Sequence, residues 1–212
     1  LEGKPLVSWI LETAKTSNYL NRFVVSTDSQ RYADIVARYG VEVPCLRPQA
    51  LAADTSTDFE YVKHMLEWLE IHENYKPDIV VRLMATTPLQ KIEDIDASIE
   101  KLIKDPKTDS TVVIAEAKQH PMKALKIVQD GGGKRRLVSY FSESGRDVTP
   151  PTRQSFERAY FRANVITFRP SVIANTGSLT GDRVDYQICS QKSGIDIDNE
   201  IDFSFVEYLI SQ

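Results

Sequence analysis

The clearest chemical signal in the sequence is a pair of aspartates near its C-terminal end, in the string GIDIDNE at 194–200. Asp196 and Asp198 are two residues apart, so at the end of a strand both carboxylates would point to one side while the neighbouring isoleucines pack on the other. Converging carboxylates repel each other unless a positive charge lies between them. Mg²⁺ would supply that charge, because it takes one or two carboxylates together with phosphate oxygens. The alternative is that Asp198 or Asn199 only caps the helix that follows.

A basic segment could supply contacts to phosphate or carboxylate groups. Residues 120–169 contain ten basic and four acidic residues, so this segment carries +6 while the whole chain carries −4. That distribution favours a small polyanionic ligand over nucleic acid, although an exposed basic face or a subunit contact would show the same pattern. Arginine forks match the geometry of phosphate and carboxylate. The candidate cations are Arg47, Lys123, Arg153 and Arg162.

Several other classes of protein are excluded because their motifs are missing. There is no Walker sequence, no Gly-x-Ser-x-Gly elbow and no paired-histidine zinc spacing. No apolar run approaches the roughly 18 residues of a membrane span, so we expect no membrane partner. Cys45 and Cys189 are too few for a disulfide framework and suit a reducing cytoplasm.

The elements that must position these residues alternate between helix and strand over the first two-thirds of the chain. Strict alternation implies a parallel sheet with right-handed crossovers. The alternation stops near residue 118, where two apolar segments flank a glycine triplet and predict a β-hairpin. We therefore predict one α/β domain, formed by 1–117 and 165–212, with a hairpin-rich excursion at 118–164. The predicted helices lie around 6–13, 29–39, 59–69, 93–104 and from 200 onward, and the predicted strands lie at 22–26, 78–83, 110–115, 124–128, 136–141, 161–168 and 186–190.

Several short sequence strings are spread along nearly the whole chain. Each one alone is weak evidence for a protein family, but the ordered set is specific. They are GKPL at 3–6, VSTD at 25–28, LRP at 46–48, LAADT at 51–55, TTPL at 86–89, HPMK at 120–123, RAN at 162–164, IDID at 195–198 and EIDF at 200–203. In this order and spacing the chain resembles the acylneuraminate cytidylyltransferase family, which comprises the CMP-sialic acid synthetases and relatives acting on other 3-deoxy-2-keto sugar acids.

The resemblance implies a Rossmann-like nucleotidyltransferase fold, with a mostly parallel sheet, helices on both faces and a hairpin-rich excursion that forms a homodimer. It implies the Mg²⁺-dependent transfer of CMP from CTP to the anomeric hydroxyl of an eight- or nine-carbon 2-keto sugar acid, with release of pyrophosphate, in the cytoplasm. Such a reaction depends on positioning and charge stabilisation, so no Ser, Cys or His nucleophile is needed.

The resemblance also implies roles for individual residues. Asp196 and Asp198 would bind Mg²⁺ and act in catalysis together with Lys123. The expected nucleotide-binding residues are Arg47, Asp58, Thr86 and Lys123. The expected sugar-binding residues are Met84, Arg153, Arg162, Asn164 and Phe168.

The chain departs from the family pattern at several of these positions. Met84 stands where the family usually has a glutamine that contacts the sugar, so the identity of the sugar stays open. Asp58 replaces a common serine, Val165 a glycine and Phe168 a tyrosine. The family's glycine- and basic-rich nucleotide loop should precede Gly3, so we expect further residues before Leu1. The alternative function is a catalytically inactive nucleotide-binding or interaction module of the same fold.

Overall fold

Helices and strands alternate through the part of the chain that the structure describes. The structure is a computed structural model, and it describes residues 1–129, 131–141 and 156–212. The helices are α1 (Leu6–Ala14), α2 (Gln30–Ala37), α3 (Asp58–Glu73), α4 (Ile92–Lys104), α5 (Ser171–Thr176) and α6 (Glu200–Ile210). The strands are β1 (Val80–Arg82), β2 (Ser110–Glu116), β3 (Leu125–Gln129), β4 (Arg135–Ser139), β5 (Tyr160–Phe168) and β6 (Val184–Cys189). Two single-turn 3₁₀ helices lie at Gln49–Leu51 and Pro121–Lys123.

Four of these strands form the main sheet, in the order β1-β5-β2-β6. β2 and β6 pair in parallel, whereas β5 runs antiparallel to both of its neighbours, β1 and β2. The α/β class and the parallel-containing sheet are confirmed. β5 differs from the helix-linked strands because it follows the hairpin excursion, so no crossover helix sets its direction.

The predicted strand at 22–26 is not a strand of the sheet. This part of the chain makes only isolated parallel bridges, from Val24 to Glu42 and from Thr27 to Leu46. Each bridge is a single residue pair, so the pairing is too short for a strand.

Helices cover both faces of the main sheet. On one face, α4 and α1 pack against β2 and β5 in a core built from Ile10, Ile95, Ile99, Val113, Ala163 and Val165. On the other face, α3 contributes to a second core with Val62, Val112, Ile166, Phe168 and Leu179. This layering is the one expected for a Rossmann-like domain.

β3 and β4 form a separate two-stranded antiparallel sheet, which confirms the hairpin. The main sheet begins again at Tyr160, where β5 starts, four residues before the predicted end of the excursion at 164. The roles predicted for the two regions stay predictions. Among the described residues, no helix combines the length and the apolar character that a membrane crossing requires.

Candidate functional site

A bulge in β5 creates the centre of the candidate site. Val112 of β2 lies opposite Ile166, yet Ile114 lies opposite Arg162, so two steps along β2 correspond to four along β5. Asn164, inside this bulge, has a φ of 57°. Non-glycine residues rarely adopt this left-handed backbone, although asparagine tolerates it better than most. Bulges re-aim side chains, and this one directs the Asn164 amide away from the regular ladder.

The Asn164 amide contacts the first aspartate of the predicted pair. Its Nδ2 donates a hydrogen bond of 2.6 Å to Asp196 Oδ2. The other carboxylate oxygen, Oδ1, is buried and has no hydrogen-bond partner among the described residues. Because a buried carboxylate oxygen without a partner is costly, Asp196 fits the role of a ligand to a cation.

The segment that carries the aspartates, residues 195–198, belongs to no strand, so the prediction that the pair lies in a strand is wrong. It is anchored by one backbone hydrogen bond of 2.9 Å, from Ile197 N to Thr86 O. Ile195 is buried and Ile197 packs beside it, as the alternating pattern predicted. Gly194 allows the start of this segment to pass close to β2, because a Cβ at this position would lie 2.6 Å from the Cβ of Ala115.

The helix-cap interpretation is confirmed for Asn199, while the metal-binding role of Asp198 stays a prediction. Asn199 caps α6, because its side chain accepts hydrogen bonds from the backbone N–H groups of Ile201 and Asp202 at 2.9 and 3.1 Å. Asp198 is exposed, and no described residue donates a hydrogen bond to its carboxylate. Within the described residues, no three His, Cys, Asp or Glu side chains form a metal-binding group. The shared binding of Mg²⁺ by Asp196 and Asp198 stays a prediction.

A buried arginine that the sequence analysis missed links Asp58 to Asn164. Arg82, 8% exposed, donates hydrogen bonds to Asp58 Oδ2, to the Tyr61 hydroxyl at 3.2 Å and to the Asn164 carbonyl at 3.3 Å. Burial opposes its charge, but Tyr61 and Asp58 raise the pKa of Arg82 above its usual value. Asp58, at the serine position of the family, thus neutralises a buried cation. An arginine inside the apolar run VVRL was the signal available in the sequence.

Tyr61 connects this buried pair to Arg47. Its hydroxyl donates to Asp58 Oδ1 at 2.8 Å and lies 3.9 Å from Met84 Sδ. Burial raises the pKa of the Tyr61 hydroxyl, so the group stays neutral. The Arg47 guanidinium lies 4.5 Å from the centre of the Tyr61 ring and donates to the Ser26 carbonyl at 2.6 Å. Six of the predicted site residues therefore belong to one connected region: Arg47, Asp58, Met84, Thr86, Asn164 and Asp196.

The predicted cations Arg162 and Lys123 line two different cavities. The cavity of Arg162, of about 380 Å³, has a mixed polar and apolar lining that also includes Asp58, Ser178 and Thr180. A second cavity, of about 330 Å³, is lined by His120, Lys123 and the aromatic rings of Tyr140, Phe141 and Phe161. Lys123 has no described contact with Asp196 or Asp198, so the grouping of these three residues stays a prediction.

Phe168, one of the predicted sugar-binding residues, is a core residue. The structure places the Phe168 side chain in the core, fully buried between α3 and the sheet. No open surface reaches it, so the prediction that Phe168 contacts the sugar is corrected: it is a packing residue. Arg153 lies outside the described residues.

Comparisons with known proteins agree with this fold. The sequence profile of the cytidylyltransferase family matches residues 1–192. Post-translational flagellin modification protein B of Campylobacter coli is 29% identical over 208 residues, which cover 98% of this chain and 84% of that protein. N-acylneuraminate cytidylyltransferase of Escherichia coli is 25% identical over 203 residues, or 96% of this chain, which spans only 45% of that enzyme.

A solved structure shows the same architecture. A CMP:2-keto-3-deoxy-manno-octonic acid synthetase in complex with CTP superposes with a TM-score of 0.68, covering 99% of this chain and 89% of that one at 15% identity. At this identity the likeness supports the fold alone, whereas the family profile covers most of the chain. This chain therefore belongs to the cytidylyltransferase family, among the proteins that resemble CMP-sialic acid synthetases.

Proposed function

We propose that the protein transfers CMP from CTP to the anomeric hydroxyl of an eight- or nine-carbon 2-keto sugar acid and releases pyrophosphate. The observation that carries this proposal is the buried Asp196 oxygen without a partner. Asn164 holds the same carboxylate, and Arg82 connects Asn164 to Asp58 on the wall of the larger cavity. A carboxylate arranged in this way is suited to a cation that accompanies a triphosphate.

The chain's own residues have distinct roles in this reaction. Arg162, in the larger cavity, would bind the sugar carboxylate through its planar fork. Arg47, held against Tyr61, would contact the cytidine part. Asp196 and Asp198 would hold Mg²⁺, and the bound ion would neutralise charge on the transferred phosphoryl group and on pyrophosphate. The sugar hydroxyl attacks the α-phosphorus as the bond to pyrophosphate breaks, so alignment matters more than a protein nucleophile.

The direct test is pyrophosphate release by the natural full-length protein, including any residues that precede Leu1. The protein is incubated with CTP, Mg²⁺ and one of four acids: sialic, legionaminic, pseudaminic or 3-deoxy-octulosonic acid. We expect release with at least one acid and much less with ATP, GTP or UTP. The panel is broad because relatives of this chain include an N-acylneuraminate and a pseudaminic acid cytidylyltransferase and because Met84 departs from the sialic acid pattern.

Two results would contradict the proposal. No release with any acid would exclude the enzymatic function within this panel. Saturable CTP binding without release would support the alternative, a non-catalytic nucleotide-binding module.

We also propose that the hairpin forms a homodimer interface. Leu125, Ile127 and Leu137, which we call the apolar hairpin face, lie on one side of the β3–β4 ribbon, where Ile127 is directly opposite Leu137. These side chains are 48%, 68% and 55% exposed. A contiguous apolar face of this kind is typical of a protein–protein contact.

Introducing a charge into the apolar hairpin face should dissociate the dimer. For Ile127→Glu we expect at least a tenfold weaker dimer by light scattering across a dilution series, because the carboxylate would be desolvated at the contact. Ile71→Glu is the matched control, since Ile71 is 75% exposed on α3, far along the chain from the hairpin. A monomeric wild type, or a dimer that both variants leave intact, would refute the interface.

A further inference from the structure

Two buried side chains hold consecutive carbonyl groups of the β5 bulge. Gln90 Nε2 donates to the Ala163 carbonyl at 2.5 Å, and Arg82 Nη1 donates to the Asn164 carbonyl at 3.3 Å. Gln90 is 3% exposed and Arg82 is 8% exposed. Their hydrogen bonds reach the bulge at the place where its carbonyl groups leave the regular β-ladder.

The bulge needs this support because its backbone is strained. Asn164 has the left-handed φ of 57° between two fully buried residues, Ala163 and Val165. Such a conformation persists only where the surrounding structure determines it strongly. The donors from Arg82 and Gln90 satisfy the two carbonyls in that conformation, and they leave the Asn164 amide free to bind Asp196.

The segment that carries both donors also anchors the aspartate segment. Between Arg82 and Gln90 the chain turns, and Thr87 closes the turn by donating from its hydroxyl to the Met84 carbonyl at 3.1 Å. The Thr86 carbonyl in the same turn accepts the hydrogen bond from Ile197 N. The 82–90 segment therefore fixes Asp196 in two ways: through its own backbone and through the Asn164 bulge.

We propose that Arg82 and Gln90 are positioning residues that hold the Asn164 bulge and thereby set the Asp196 carboxylate for a divalent cation. The proposal rests on the proposed function only in the cation-binding role given to Asp196. Neither residue contacts the cation. Each acts through a backbone carbonyl and then through the Asn164 amide, in the way that outer partners orient metal ligands.

The test is a titration of the full-length protein with Mn²⁺, followed by electron paramagnetic resonance, with and without CTP. Arg82→Lys keeps the charge but lacks the fork that reaches Asp58 and Asn164 together. Gln90→Met keeps the volume and removes the donor. We expect each variant to bind Mn²⁺ about tenfold more weakly than wild type, within the range found for outer partners of metal ligands.

Matched variants separate positioning from a general loss of stability. Arg22 also pairs with two carboxylates, Glu42 and Glu73, and lies over the Tyr75 ring at 4.4 Å. Arg22→Lys should lower the melting temperature and leave Mn²⁺ affinity unchanged. Gln90→Asn, whose amide is one methylene too short, replaces Gln90→Met if the latter does not fold.

The double variant Arg82→Lys/Gln90→Met tests whether both residues act through one element. If they hold the same bulge, the combined loss of Mn²⁺ affinity should be smaller than the product of the two single losses. Asp196→Asn defines the signal expected when the site is lost.

Three results would overturn the proposal. The first is an absence of saturable Mn²⁺ binding in the wild type. The second is an Mn²⁺ affinity within twofold of wild type in both Arg82→Lys and Gln90→Met. The third is a double variant whose loss of Mn²⁺ affinity equals the product of the two single losses. Failure of the proposed function is distinguishable. If no sugar acid yields pyrophosphate while the Mn²⁺ affinities change as expected, the enzymatic assignment fails and the positioning role stands.

Discussion

Replacing Asp196 with asparagine should lower kcat for pyrophosphate release by on the order of a thousandfold, which is the size of loss expected when a main electrostatic contact of the transition state is removed. Asparagine has nearly the same shape as aspartate but carries no negative charge. The substitution therefore removes the carboxylate whose buried Oδ1 has no hydrogen-bond partner among the described residues. Asp198→Asn should also abolish most activity, and added Mg²⁺ should restore little of it. The measurement is the initial rate at saturating CTP, sugar acid and Mg²⁺.

The controls for this prediction distinguish chemistry from folding. Asp34→Asn removes an exposed carboxylate on α2 that accepts a hydrogen bond from Gln30 along the same helix, so it should retain full kcat. Thermal unfolding of Asp196→Asn should show a folded protein. A kcat within fivefold of wild type for this variant would remove the catalytic role of Asp196.

Phe168→Ala should destabilise the fold by about 3–5 kcal/mol, the usual cost of emptying a fully buried aromatic site. The Phe168 ring is 0% exposed and packs with Val62, Val112 and Leu179 between α3 and the sheet. Denaturant unfolding of the variant and of wild type gives the difference in free energy of unfolding. Phe205→Ala is the control: Phe205 is 44% exposed on α6, and its loss should cost less than about 1 kcal/mol.

The same position distinguishes packing from sugar binding. Phe168→Leu removes less volume and should remain folded, with a KM for the sugar acid within twofold of wild type. A large rise in KM without a loss of stability would contradict the placement of Phe168 in the core and restore its predicted role at the sugar.

Local patterns predicted most of the secondary structure. The predicted helix at 59–69 and the hairpin predicted from two apolar segments around a glycine triplet are confirmed, because each pattern depends on neighbours a few residues apart. α5 was missed, since its six residues are too few to show a helical period. The antiparallel direction of β5 was also missed, because direction depends on how a distant segment returns to the sheet.

The site was predicted residue by residue, but its connections were not. Asp58, Asn164 and Asp196 were selected from motifs, and the structure connects them through Arg82, which no motif selected. The aspartate pair was predicted in a strand, whereas its segment is held by hydrogen bonds to Thr86 and Asn164. The longest of these contacts joins residues 86 and 197, so spacing along the chain cannot reveal them.

The sequence by itself determined which chemical groups this protein has and the family to which it belongs, because side-chain types and ordered motifs are properties of the chain. It also determined the helices whose periodicity is strong. Only the tertiary structure decided what each group does in the fold. In the folded chain Asp58 neutralises the buried Arg82, Phe168 lies in the core, and one Asp196 oxygen has no hydrogen-bond partner among the described residues. The physical reason is that burial and hydrogen bonding depend on contacts between segments that are distant along the chain. The β5 bulge makes such contacts at Asn164, which binds both Arg82 and Asp196.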